Sequence, residues 1–394
     1  MKKKEILCII LLYFAASVGL IDSLNPFALY GAIPLSFLIS LSVGNSLKTN
    51  NYLKRLLVLI LWVAVTYFSA VYVEEANNQM KNLLGVFVLS MTIANLSIDK
   101  RCVPWLYGVF IILLIQALVY ANNHIMIEGF DTATDRLDDE KLNANTVAYY
   151  TFFVTVAIYE LGNSFLIKSK VIANIFRLLF LAMYGVSFTV AILTGSRQVL
   201  IIQIPLLALL TFIRYIEGTS LKRKLLFVLI AAIACVASIG PITKSYDNSY
   251  LKVRSETKAK DDVRALLLQD AIKVGCQHPI MGVGPGNYVR YSFNRHFSHC
   301  TYTELFANTG VIGALIYVSL VLMFITSQWK RFWKYRDKTY LVFFVCGLIY
   351  LFDNFFYVFY VDLWLIGFFI LLASHSETYF NYKKYNYETV GERL

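Results

Sequence analysis

His299 stands directly before Cys300-Thr301-Tyr302-Thr303-Glu304, a run that leads into a long apolar segment. Thr301 to Glu304 has the spacing of a capping box, which predicts a helix start there. A histidine just ahead of a helix N-terminus meets that end's partial positive charge, and a second positive charge is disfavoured. The imidazole would stay neutral and able to accept a proton, as a general base must. An ordinary interfacial histidine fits the same local sequence.

A second stretch offers fixed positive charge. In Asp261 to Gly275, Val263, Leu267, Ala271 and Val274 recur at helical spacing, and Gly275-Cys276-Gln277-His278-Pro279 supplies the stop. Arg264 falls inside that apolar stripe, lined up with Leu268, Ala271 and Gly275. The arginine is aimed where the helix packs. One reading is a buried structural ion pair; the other is a cation awaiting an anion, since arginine suits bidentate phosphate recognition. Arg197 ends the short turn Thr194-Gly195-Ser196-Arg197 between two apolar segments. It either snorkels to the interface or projects into a cavity beside Arg264.

Between these lies Gly282-Val283-Gly284-Pro285-Gly286-Asn287. Glycines at this density let a backbone turn sharply and approach a ligand closely. The run lacks the lysine of a phosphate-binding P-loop and the strand–helix setting of a dinucleotide site, so both are rejected. Cys276, His278, His296, His299 and Cys300 are of the right types for zinc, but their spacings match no standard ligand pattern, and no metal is expected. Cys276 and Cys300 share one polar segment, where an oxidising compartment would permit a bridge; spacing alone does not pair them.

The elements that must carry these residues are set by composition. Of 394 residues 58% are hydrophobic and 15% charged, against roughly 45–50% and 25% in soluble proteins. Such a chain is not a soluble enzyme, a disordered tail or a disulfide-stapled secreted domain. A membrane β-barrel would alternate polar and apolar residues, and this one does not. The expectation is an all-α polytopic membrane protein, a single integral membrane domain over 1–394. Spans are predicted near 6–21, 24–44, 54–73, 83–97, 103–121, 147–167, 172–193, 198–213, 225–243, 303–326, 339–352 and 355–374, about twelve transmembrane helices.

Charge orients them. With Lys2-Lys3-Lys4 inside, the inside segments and termini hold 23 of the 36 Lys and Arg residues. Both termini are then cytoplasmic, and the first apolar segment is read as an uncleaved helix although it resembles a signal peptide. The net charge of +11 is mostly topology and calls for no nucleic-acid partner. Two external segments remain, an acidic one near 122–146 and a larger one near 244–302, long enough to be functional. Glu160 and Asp362 fall within predicted spans, where an ionisable residue invites a functional reading. The sequence names no partner for either.

The Ser196-Arg197 turn, the Arg264-to-Gly275 helix, the run His278-Pro279-Ile280-Met281-Gly282-Val283-Gly284-Pro285-Gly286-Asn287, and His299 followed by Gly310 and Gly313 occur in this order. Together they resemble the bacterial O-antigen ligase and O-antigen polymerase superfamily, with the core of the likeness at 194–313. The resemblance implies a GT-C-like glycosyltransferase fold in the bacterial inner membrane, with the large loop periplasmic and containing short helices. It implies transfer of a glycan from an undecaprenyl-diphosphate carrier to a hydroxyl of a growing glycan or of the lipid A core, with inversion and without metal or other cofactor. By position His299 would be the base, and Arg197 and Arg264 would hold the diphosphate. Gly284, Gly286 and Asn287 would contribute to the substrate site. One departure stands out. Cys300 occupies a place often taken by Asn, Ser or Gln, which leaves the orienting partner of His299 open. A flippase or transporter of lipid-linked oligosaccharide is the alternative class, but its signs, repeated halves and mid-span charges, are few here.

Overall fold

The computed structural model describes residues 1–128, 144–163, 169–196, 199–216, 263–293 and 295–391, with short stretches between 220 and 252. Among the described residues the chain is helical, without strands. The longer helices are α1 (Lys3–Val18), α2 (Asn25–Ser40), α3 (Asn51–Ser69), α4 (Val73–Ser97), α5 (Val103–Glu128), α6 (Ala144–Gly162), α7 (Lys170–Thr194), α8 (199–216), α9 (Val263–Gln277), α10 (Thr301–Tyr335), α11 (Lys338–Asp353) and α12 (Leu363–Gly391). Six helices among the described residues are long and apolar enough to cross a membrane, the segments Asn51–Ser69, Val73–Ser97, Val103–Asn123, Lys170–Thr194, Thr301–Tyr335 and Leu363–Lys383. The expected span at 225–243 and the acidic stretch 129–143 lie outside the described residues.

The chain divides into two compact units. The first comprises Met1–Ala15, Asp22–Leu106 and Lys260–Leu394. In it α4 runs along α12, and α10 packs against α3, α9 and α11. From Leu365 to Ala373 every residue of α12 is buried, as a helix apolar on all sides should be. The buried Asn95 of α4 is satisfied: its Oδ1 accepts from the Ser46 amide at 2.8 Å and hydroxyl at 2.7 Å, and its Nδ2 donates to Ser40 Oγ at 3.2 Å.

The second unit comprises Ala16–Ile21 and Tyr107–Ala259. Here α6 packs on α7 and α8. Glu160, for which the sequence named no partner, is attracted by the Arg214 guanidinium, which stacks 5.6 Å from the Tyr159 ring and 5.9 Å from the Phe180 ring. Both α2 and α8 widen into a π turn, at Ala28–Ala32 and Val199–Gln203, shortly before a proline (Pro34 and Pro205). A proline has no N–H and crowds the carbonyl four residues back, so the ladder shifts by one residue there.

Three expectations are corrected. The segment predicted at 83–97 begins ten residues earlier, at Val73, because its first turns are polar (Glu74, Glu75, Asn77, Asn78) and invisible to a hydropathy reading. Asp362 is not inside a span: it precedes α12, and its carboxylate accepts from the Trp364 and Leu365 amides at 3.0 Å each. Thr301 and Glu304 do not form a capping box. The Thr301 hydroxyl instead donates to the Tyr357 carbonyl at 2.8 Å and accepts from the Phe359 amide at 2.8 Å.

Candidate functional site

The 35 residues of α10 would rise about 50 Å as one rod, well beyond the ~30 Å hydrocarbon core. The helix is in fact broken at Gly310, where φ is 70° and ψ −176°. That region is open essentially to glycine alone. A Cβ at Gly310 would also overlap the Ile280 carbonyl oxygen, so the residue must be bare. The break frees backbone groups, and each of those named here finds a partner. The Val311 amide donates to the Pro279 carbonyl at 2.8 Å. Ala307 and Asn308 accept from the Val283 and Gly284 amides, both at 2.9 Å. Thr309 accepts from Trp62 Nε1 of α3 at 2.9 Å. The loop 279–284 is thus built into the gap of a membrane helix.

The glycine-rich run continues along the first turns of α4. Gly284 adopts φ +97°, and a Cβ there would meet the Ala70 backbone at 2.6 Å. Gly286 lies against the Glu75 carbonyl. Asn287 is fully buried; its Oδ1 accepts from the Tyr72 amide at 2.7 Å and its Nδ2 donates to the Tyr72 carbonyl at 3.0 Å. Arg290 forms an ion pair with Glu75 and stacks 5.7 Å from the Tyr72 ring. The buried Tyr288 donates its hydroxyl to the Leu267 carbonyl of α9 at 2.7 Å. Burial, and after it the Glu304 and Asp270 carboxylates, push this phenol above its ordinary value, so it remains a protonated donor.

On α9 the stripe falls where the spacing put it. Leu267, Ala271, Val274 and Gly275 are buried, Arg264 and Leu268 on the same side are half-buried, and Gln269, Lys273 and Gln277 face outward. Gly275 lies against the Phe306 ring of α10, a contact that any side chain would block.

His299 is half-buried immediately ahead of α10, with its ring centroid 4.4 Å from that of Phe297. Its φ of +57° is left-handed, uncommon for a residue with a Cβ. The residues on both sides of it are held. Ser298 N–H donates to Glu304 Oε2 at 2.6 Å, Ser298 Oγ donates to the Cys300 carbonyl at 2.9 Å, and the Cys300 amide donates back to Ser298 Oγ at 3.3 Å. Thr301 N–H reaches the Asn354 and Tyr357 carbonyls at 2.8 and 3.1 Å.

The structure places the glycine run in the gap at the end of the half-helix Thr301 to Thr309 and His299 just ahead of its start, and α9, the helix that carries Arg264, packs against α10. Arg197 lies outside the described residues. Cys276 is exposed and Cys300 buried, and both are free thiols. Among the described residues the five Cys and His side chains considered for zinc do not converge. Missed by the sequence reading were Glu304 and Asn308 as a working pair, with Tyr360 and Gln79 behind them. The signal was present: a carboxylate and an amide at i and i+4 on a helix otherwise built to be apolar.

Fold and site define a class, a helical membrane protein with a buried polar cluster, Glu304, Asn308, Tyr360 and Gln79, at the broken end of one long span. Residues 182–318 match the family described as O-Antigen ligase, a stretch that encloses the 194–313 core of the resemblance. No curated protein and no solved structure matches the chain.

Proposed function

We propose that this protein is an inverting glycosyltransferase of surface-polysaccharide synthesis, moving a glycan from a polyprenyl-diphosphate carrier to an acceptor hydroxyl as an O-antigen ligase or an O-antigen polymerase. The observation that carries the reading is the family match over 182–318, which includes Arg197, Arg264, the glycine run and His299. In the reaction the acceptor O–H gives its proton to His299 while its oxygen bonds to the anomeric carbon. The bond from that carbon to the diphosphate oxygen breaks, and the polyprenyl diphosphate leaves. Attack opposite the leaving group inverts the sugar. Arg264 and Arg197 take up the charge building on the diphosphate, work a metal ion does elsewhere. Gly284, Gly286 and Asn287 serve as the wall of the substrate site, held in shape by Ala70, Tyr72 and Glu75 rather than offering side chains. On this reading the protein lies in the bacterial inner membrane with the 244–302 loop on the outer side.

The test uses a strain lacking the protein, complemented with His299→Ala or Arg264→Lys. Both variants should accumulate in the membrane; the first should abolish transfer, and the second should impair it strongly because a point charge does not replace the guanidinium fork. Full transfer by His299→Ala would remove the base from the mechanism. In the uncomplemented strain, long glycan on the carrier identifies a ligase and single repeat units a polymerase.

A further inference from the structure

Glu304 is a buried carboxylate that the mechanism above does not use. It is 3% exposed, and among the described residues no Lys or Arg lies within ion-pair distance of it. A desolvated carboxylate with no countercharge is costly, so what it accepts must be worth the burial. Its Oε2 takes the Ser298 amide at 2.6 Å, and its Oε1 takes Asn308 Nδ2 at 3.4 Å. Asn308, one turn on, accepts the Tyr288 amide at 2.8 Å through Oδ1 and donates to the Tyr360 hydroxyl at 3.3 Å. Tyr360 in turn accepts from Gln79 Nε2 of α4 at 2.6 Å. One chain of polar side chains thus runs from α4 through the half-helix to the residue beside the histidine.

We propose that Glu304 is a positioning residue for His299: its carboxylate fixes the Ser298 peptide and so holds the left-handed backbone from which the imidazole is aimed. The proposal rests on His299 being the base. Release of the Ser298 N–H would loosen the clasp of Ser298 Oγ on the Cys300 carbonyl and amide, and a left-handed histidine relaxes once the residues on either side of it are released. What matters is an acceptor oxygen at the right reach, since the partner is a neutral amide. Glutamine supplies that oxygen to the Ser298 amide and gives up only the longer 3.4 Å bond from Asn308 Nδ2; aspartate carries the charge one methylene short; alanine supplies neither.

The experiment measures transfer in membranes of the deletion strain complemented with each variant, given the lipid-linked glycan extracted from cells lacking the protein. Glu304→Gln should keep turnover within about threefold. Glu304→Ala should lose about thirtyfold or more in turnover with the donor KM within twofold, and Glu304→Asp should fall between. Should the alanine protein fail to accumulate, the order of Gln above Asp decides the question, because a charge requirement predicts the reverse. Inactive Glu304→Gln, or Glu304→Ala within twofold of wild type while His299→Ala is dead, overturns the positioning role alone. Full activity of His299→Ala overturns the base itself, and the two failures are told apart by that one variant.

Discussion

Two loops meet at the broken end of α10, and they are held by opposite means. The run 279–287 is fixed mainly through its backbone: three main-chain bonds join Pro279, Val283 and Gly284 to the helix gap, and glycines are pressed against Ala70 and Glu75. The loop 296–300 carries no glycine and is fixed through side chains, Ser298, Thr301 and Glu304. A backbone joint tolerates no added atom but is indifferent to charge and hydroxyl chemistry. A side-chain joint can be retuned by substitution. It therefore suits the loop whose residue must be aimed, while the rigid joint supplies the wall against which it is aimed.

The harshest test of the rigid joint is Gly310→Ala. It adds a Cβ in a glycine-only conformation, which costs roughly 1–3 kcal/mol on its own. The overlap with the Ile280 carbonyl comes on top and is with backbone, which cannot swing aside. The loop and the gap must separate, leaving the Val311 amide and the carbonyls of Ala307 and Asn308 without partners. The expected outcome is loss of the folded protein from the membrane, read by immunoblot and by thermal unfolding of whatever remains. A stable, active Gly310→Ala protein would mean that the gap is not closed by the loop.

Asn287→Ala probes the same loop at a buried side-chain fastening. Both hydrogen bonds to the Tyr72 backbone go; the Tyr72 amide loses its partner, while the carbonyl keeps the Ala76 amide at 3.2 Å. A fully buried amide so stranded would cost about 1–3 kcal/mol; Tyr72 is 40% exposed, so water can take up part of that loss. The protein should still accumulate but unfold at lower temperature, with a loss of stability smaller than that of Gly310→Ala. An unchanged unfolding temperature would show that the main-chain bonds alone hold the loop.

How much of this was legible depended on the range of the contact. The lipid-facing segments and the stripe on α9 are local patterns, and Val263 to Gly275 places Arg264 on the packing side with no knowledge of its neighbour. His299 and the glycine run are visible as types and spacing. What they touch is not. Gly310 reads as a small residue easing helix approach, and only the arrival of Ile280 from thirty residues away shows that it must break the helix. Asn287 finds Tyr72 at a separation of 215 residues, a pairing no single sequence announces. Glu304 was misassigned for a related reason: its spacing from Thr301 fits a local cap, and the competing Ser298 amide becomes available only once the loop doubles back.

The smallest effect is expected at Arg290, where the comparison is sharpened rather than broken. Its pair with Glu75 and its stacking on Tyr72 fasten the far end of the glycine run, yet the arginine side chain is 39% exposed and its partner's 21%. Solvent screens such a pair, and holding two long side chains in one geometry costs entropy that offsets most of the gain. Arg290→Ala should therefore leave membrane level and transfer unchanged, with a barely resolved shift in unfolding temperature that disappears in high salt. If the variant instead lost transfer while remaining folded, Arg290 would have to be read as a third cation of the site rather than as a fastening. Measuring transfer and unfolding on the same preparation separates the two, because a fastening moves stability first and a diphosphate contact moves rate alone.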